Sequence, residues 1–246
     1  MAERTSVVLI SGLLCDGEIW AEQERALSAR YDVLTLGFMR FSTIEAMAEE
    51  VLRVAPPRFS VAGHSMGGRV ALEIVRRAPE RVQGLALIDT GFSSARPGEE
   101  TGRYALVTLA EEQGMTALAA AWLPPMVSAR RTSDCELIQR LTRMVERADF
   151  DLFRGQIHAL LKRPNAEPML GAIDCPTCVI VGRDDSWSPV EQHRAMAAQI
   201  PAATLDIIED CGHMSLVEQP KVINFILMSW MERPMTTMKL DHSSTR

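Results

Sequence analysis

Apolar runs of four to six residues alternate along this chain with longer stretches whose apolar positions recur at helical spacing. The short runs fall at 7–10, 31–36, 59–62, 85–89, 178–182 and 204–208, and their near-continuous apolar character predicts strands buried on both faces. The longer stretches at 17–29, 43–54, 65–78, 189–199 and 216–231 predict amphipathic helices between them. Alternation of this kind builds an α/β fold, a mostly parallel sheet of at least six strands flanked by helices. The pattern changes after the strand that ends at Asp89. From there to Cys178 no convincing strand occurs, and helix-spaced apolar positions take over, interrupted at Pro124-Pro125 and closed before Pro164. The expected division is therefore a core at 1–91 and 173–232, an all-helical lid at 92–172, and a mobile tail at 233–246 that loses apolar periodicity.

Composition narrows the class without naming a chemistry. A chain of 246 residues with 47% apolar and 24% charged residues is long enough for a substantial core and ordinary for a soluble enzyme. Its net charge of −6 and lack of a basic face argue against a nucleic-acid partner. No apolar stretch reaches membrane-spanning length, and residues 1–5 run straight into a strand rather than a signal sequence, so a cytoplasmic location is expected. The lid carries ten basic and ten acidic residues, which leaves the negative charge to the remaining chain. Arg140, Arg143 and Arg147 share one helical face there and are expected to form a solvated stripe. Five cysteines at irregular positions do not form a disulfide framework. Cys175 and Cys178 make a C-x-x-C pair, but Cys178 enters a strand instead of opening a helix, so inert buried thiols are expected, with no metal and no cofactor.

Candidate chemistry concentrates at Gly63-His64-Ser65-Met66-Gly67, followed by Gly68, between a strand and an amphipathic helix. A serine on so tight a strand-to-helix turn takes a strained backbone and presents its hydroxyl at the helix N-terminus, provided small residues flank it. Serine alone is a poor nucleophile and needs a base. His64 points away by turn geometry, His158 and His193 lie in helical patterns, and His242 is in the tail. His213 follows the last strand at the carboxyl edge of the sheet, where open α/β sheets build their sites, and is the base of choice. Three aspartates compete to orient it: Asp184 and Asp185 after the penultimate strand, and Asp89 at the end of an earlier one.

Taken together, the order Ser65, Asp185, His213, the elbow and the insert resemble the α/β-hydrolase superfamily from Val7 to about Met231, in particular compact lid-bearing bacterial esterases of the pimeloyl-ACP methyl ester esterase type. The resemblance selects Asp185, which ends a G-x-x-D pattern four residues before Pro189, and matches Gly212-His213 and Glu218-Gln219-Pro220 to the family's histidine loop and final helix. It implies an oxyanion hole from the backbone N–H groups of Leu13 and Met66, although Ser11 stands where many members carry histidine. It also implies a cofactor-free carboxylic ester hydrolase acting on a small-molecule ester through an acyl-enzyme. Lactone, thioester or carbon–carbon bond cleavage would use the same triad, an acyl-carrier protein is a conceivable partner, and a receptor-like binding protein is the non-catalytic alternative. The apolar residues Leu14, Trp122, Leu123, Met126, Trp187 and Met214 are candidates for a pocket that takes an apolar group.

Overall fold

A computed structural model describes residues 4–37 and 40–233. Within them six strands, β1 (Ser6–Ile10), β2 (Asp32–Leu36), β3 (Phe59–His64), β4 (Val82–Ile88), β5 (Thr177–Gly182) and β6 (Thr204–Ile208), form one sheet in the order β2-β1-β3-β4-β5-β6. Every pairing is parallel. β3 and β5 are buried at all positions, whereas the edge strands β2 and β6 are mostly half-buried, as expected where only inner strands have neighbours on both sides.

The helices are α1 (Ala21–Ser28), α2 (Ile44–Val54), α3 (Met66–Arg77), α4 (Glu99–Trp122), α5 (Cys135–Glu146), α6 (Phe150–Leu161), α7 (Val190–Gln199), α8 (Ser215–Glu218) and α9 (Pro220–Met231). The chain leaves β1 for β2 on one side and returns past β1 to β3 on the other. Right-handed crossovers running in opposite directions place α1 and α2 on opposite faces. Accordingly α2 packs with α3, and α1 packs with α9. The predicted helix over 216–231 is instead two helices, because Pro220 has no N–H to continue a helical ladder and Gln219 before it takes φ −131°, ψ 53°. Of the expected tail, Arg233 donates to the Thr204 hydroxyl at 3.0 Å, while 234–246, including His242, lies outside the described residues.

Between β4 and β5 the chain is helical throughout α4, α5 and α6, with short 3₁₀ turns between and after them. Asp134 and Asp149 cap α5 and α6 by accepting from the N–H of Leu137 and Leu152, and Gly114 at φ 82° breaks α4 into two segments. The ends of the insert meet where Ala166 N–H donates to the Phe92 carbonyl at 2.8 Å. The arginine stripe on α5 differs from expectation. Arg140 pairs with Glu18, and Arg147 with Asp16 and Glu18, on the loop and turn after β1, so two of the three arginines tie the insert to the core. Half-exposed pairs of this kind add about 1 kcal/mol or less each, so they locate the insert more than they stabilise it. Arg143 remains exposed.

The topological reversal lies between β1 and β3, and the turn after β3 packs directly against the end of β1. A Cβ on Gly67 would lie 2.2 Å from the Ile10 carbonyl oxygen, and one on Gly63 would lie 2.3 Å from the Gly67 carbonyl oxygen. Both contacts involve backbone, which cannot swing aside. Gly67→Ala is therefore expected to lower the urea midpoint by the equivalent of about 1–3 kcal/mol or more, with an unchanged denaturant slope.

Candidate active site

Ser65 sits between β3 and α3 at φ 54°, a left-handed conformation in a residue with a side chain. Strain of this kind persists only when surrounding contacts hold it. Here Ser65 N–H donates to the Ile88 carbonyl at 2.9 Å, and the Thr90 hydroxyl donates to the Ser65 carbonyl at 2.6 Å. The loop after β6 brings His213 alongside, with Nε2 2.9 Å from Ser65 Oγ. His213 Nδ1 lies 2.8 Å from Asp185 Oδ2. Because a carboxylate only accepts, Nδ1 carries the proton and Nε2 presents its lone pair to the serine hydroxyl. Asp185 is itself fixed, since its Oδ1 accepts the N–H groups of Trp187 and Ser188 at 2.9 Å each. Burial opposes protonation of His213, yet the charge and hydrogen bond of Asp185, with the charges of Asp89 and Glu218 behind it, hold its pKa above the ordinary 6.5.

The other two aspartates do different work. Asp184 accepts from the Ser128 hydroxyl at 2.6 Å and so binds the insert to the loop after β5. Asp89, fully buried, accepts from Gly182 N–H at 3.0 Å and the Ser215 hydroxyl at 2.5 Å, joining the end of β5 to the start of α8 just past His213. Burial, together with the Asp185 charge, pushes its carboxyl well above the ordinary range. His64 is buried with Nε2 donating to the His213 carbonyl at 2.8 Å, and burial lowers its pKa to about 3, which keeps it neutral. His193 accepts Thr90 N–H at Nε2 and donates from Nδ1 to the Pro189 carbonyl, and its pKa falls to about 4 through burial. His158 lies on α6, where its Nδ1–H donates to the Ser42 carbonyl. Among the described residues no group of three His, Cys, Asp or Glu side chains could hold a metal ion, and all five cysteines are free. Burial raises the thiol pKa of Cys175 to about 11 and that of Cys178 further.

A cavity of about 580 Å³ opens above Ser65 and His213 and is also lined by Leu13, Met66, Trp122, Met126 and Trp187. Among the described residues neither Leu13 N–H nor Met66 N–H has an acceptor within the protein. Leu14, Leu123 and Met214 do not line this cavity, contrary to their expected place in the pocket; all three are consumed by core packing. Leu14 acts through its backbone instead. At φ 57° it turns the loop after β1, and its N–H donates to Gln156 Oε1 of α6 at 2.9 Å. Ser11 closes the same loop by donating to the Asp16 carbonyl at 3.0 Å. Sequence reading missed Gln156, which no local motif marks, and the role of Glu218, whose carboxylate accepts Gly212 N–H at 3.0 Å and Ser128 N–H at 2.8 Å. It also missed that the cavity wall is charged at Arg69, Glu99, Arg103 and Arg163.

Residues 7–224 match the model of the "Alpha/beta hydrolase family". The chain belongs to that family. It is 27% identical over 250 residues to the "Putative carbamate hydrolase RutD" of Caulobacter sp. (strain K31), covering 94% of this chain and 91% of that protein. Among solved structures it is similar to a thermophilic esterase from Thermogutta terrifontis (malate bound), with a TM-score of 0.85, 27% identity, and coverage of 92% of this chain and 89% of that one. The enol-lactonase from Burkholderia xenovorans LB400 shares the fold, with a TM-score of 0.84 at 23% identity over 94% of this chain and 93% of that one. Family membership supports hydrolase chemistry at this site.

Asp89→Asn would present an amide NH₂ to at least one of the donors that the carboxylate now accepts. A loss of about 1–3 kcal/mol in denaturant unfolding is expected, while the downfield NMR proton of His213 Nδ1 persists because its partner is Asp185.

Proposed function

We propose that this protein is a serine hydrolase that cleaves a carboxylic ester through an acyl-enzyme, with Ser65 as nucleophile, His213 as general base and Asp185 as the orienting acid. One continuous chain of contacts carries the reading: Asp185 Oδ2 to His213 Nδ1 at 2.8 Å, then His213 Nε2 to Ser65 Oγ at 2.9 Å. At that spacing His213 takes the serine proton as Oγ attacks the ester carbonyl, and Asp185 stabilises the imidazolium that forms. The oxyanion falls to the N–H groups of Leu13 and Met66, which lack acceptors of their own and line the same cavity as Ser65. His213 then protonates the departing alkoxide. Water deprotonated by the same nitrogen attacks the acyl-enzyme, releasing the acid and restoring Ser65.

Residues 92–172 act as a lid in this scheme. Trp122 and Met126 bring apolar surface to the cavity, and no lid residue enters the proton path. The likeness to the Thermogutta terrifontis esterase supports an ester as substrate; lactone, thioester and carbon–carbon cleavage pass through an equivalent oxyanion and would use the same three residues. The buried network around Asp89 and Glu218 fixes where the loops of Asp185 and His213 stand and takes no proton from the reaction.

Ser65→Ala is expected to abolish turnover of short p-nitrophenyl esters and labelling by a fluorophosphonate, with thermal unfolding little changed; labelling at another serine overturns the assignment. Asp185→Asn is expected to lower turnover by roughly two to four orders of magnitude, whereas Asp184→Asn, whose carboxylate faces Ser128, costs far less. The base works as neutral imidazole, so kcat/KM rises as pH passes upward through the raised His213 pKa, and the acid limb lies above 6.5. Removing the Asp185 charge leaves burial as the largest influence and moves that limb to lower pH. Trp122→Ala is expected to shift preference among acyl chain lengths more than it lowers turnover of acetate esters.

A further inference from the structure

Away from Ser65, the cavity wall holds four arginines, Arg69, Arg96, Arg103 and Arg163, against a single carboxylate, Glu99. That balance is the reverse of the chain as a whole, whose net charge is −6. Glu99 is already committed. Its two oxygens accept from Arg163 at 2.7 Å each, Oε1 also accepts from Arg103 Nε at 2.7 Å, and Oε2 accepts Arg96 N–H at 3.1 Å. Arg163 spends its remaining donors on the carbonyls of Ser93, Ser94 and Leu160. Those contacts make Arg163, Arg103 and Glu99 a structural unit.

Arg69 is left over. Among the described residues it has no carboxylate within salt-bridge distance, and of its five donors one is used, Nη1 to the Ser93 carbonyl at 2.7 Å. Burial lowers its pKa to about 9, and the charges of Arg163, Arg103 and Arg96 add to the effect while that of Glu99 opposes it. The guanidinium is half-buried in the cavity wall, and no carboxylate among the described residues pairs with it directly. It also has a fixed relation to the chemistry, because it stands four residues after Ser65, on the same side of α3 and in the same cavity. Gly91 keeps the way open: a Cβ there would lie 2.6 Å from Arg69 Nη2 and 2.1 Å from Gln192 Nε2, two further donors on the cavity wall.

We propose that Arg69, assisted by Gln192 and by the field of Arg96 at the exposed rim, binds a carboxylate of the substrate, so that the natural ester carries an acidic group on its acyl chain at a set distance from the scissile carbonyl. The inference rests on the hydrolase reading for what happens to the ester, but not for the binding of the anion. A guanidinium fork matches a carboxylate in two parallel hydrogen bonds, and a site built to make them discriminates between an acid and its neutral analogue.

The test pairs monomethyl adipate with methyl hexanoate and monomethyl glutarate with methyl pentanoate, with acid release followed by pH-stat. The wild-type protein is expected to prefer the acidic member of at least one pair, through KM, by about tenfold or more. Arg69→Met is expected to remove that preference and Arg69→Lys to keep part of it. Arg96→Gln, at an exposed residue whose side chain has no partner among the described residues, cannot perturb the core and is expected to lower the preference by roughly two- to threefold, an effect lost at high salt. Calorimetric titration of monomethyl adipate into Ser65→Ala, with and without Arg69→Met, reads binding apart from turnover. Esters cleaved through Ser65 with no preference for the acid, or binding indifferent to both Arg69→Met and Arg96→Gln, overturn the anion site and leave the hydrolase intact. Binding that depends on Arg69 without any turnover overturns the hydrolase and leaves the anion site standing.

Discussion

Close approach of backbone to backbone at the end of β3 is the constraint on which the site depends. With Gly63 and Gly67 the chain reverses from strand into α3 inside a space that admits no Cβ, and Ile10 of the neighbouring strand forms one wall of that space. The same closeness places the loop carrying Leu13 beside the first turn of α3 carrying Met66. A wider turn would relieve Ser65 of its positive φ and separate the two N–H groups from each other and from the serine. Strain at one residue is thus the cost of bringing a hydroxyl and two backbone donors into one cavity.

Around that turn, buried carboxylates act as fasteners between segments distant in sequence. Asp89 ties the end of β5 to the start of α8, and Glu218 ties the His213 loop to Ser128 in the insert. Each is nearly sealed from water, and each is satisfied by backbone N–H groups or a hydroxyl rather than by an arginine. Burial raises the pKa of both carboxyls, and the partners aimed at them in advance oppose that shift. Gln156 does the equivalent for the loop after β1, holding Leu14 from α6. The insert is consequently part of the site's framework, tied to the loop after β1 through Gln156, to the loop after β5 through Ser128 and Asp184, and to the core surface through Arg140 and Arg147.

Charge inside the cavity follows a different logic from charge on the surface. The insert is neutral in total, yet its acidic residues other than Glu99 lie away from the cavity, while Arg96, Arg103 and Arg163 meet Arg69 of the core there. Net charge over a segment is blind to which face each residue occupies. Only the local arrangement creates a positive end in a protein that is negative as a whole.

The sequence by itself determined the alternation of strands and helices, the position of the helical insert, the elbow at Ser65 and the loop that carries His213, because each is encoded locally by apolar periodicity or by glycine in a tight turn. Strand ends moved by up to a few residues, and the last helix split at Pro220. Which of Asp89, Asp184 and Asp185 faces His213 could not be read from periodicity, since all three stand at strand ends on the same edge of the sheet. Packing decided it by giving Asp89 to Gly182 and Ser215, Asp184 to Ser128, and Asp185 to His213. The same holds for Leu14, whose apolar side chain suggested the pocket although only its backbone serves the site, and for Arg69, an ordinary helical arginine in sequence. Hydrogen bonds and ion pairs between residues a hundred or more positions apart leave no trace in local spacing, so the partners of Gln156 and Glu18 existed only once the chain had closed on itself.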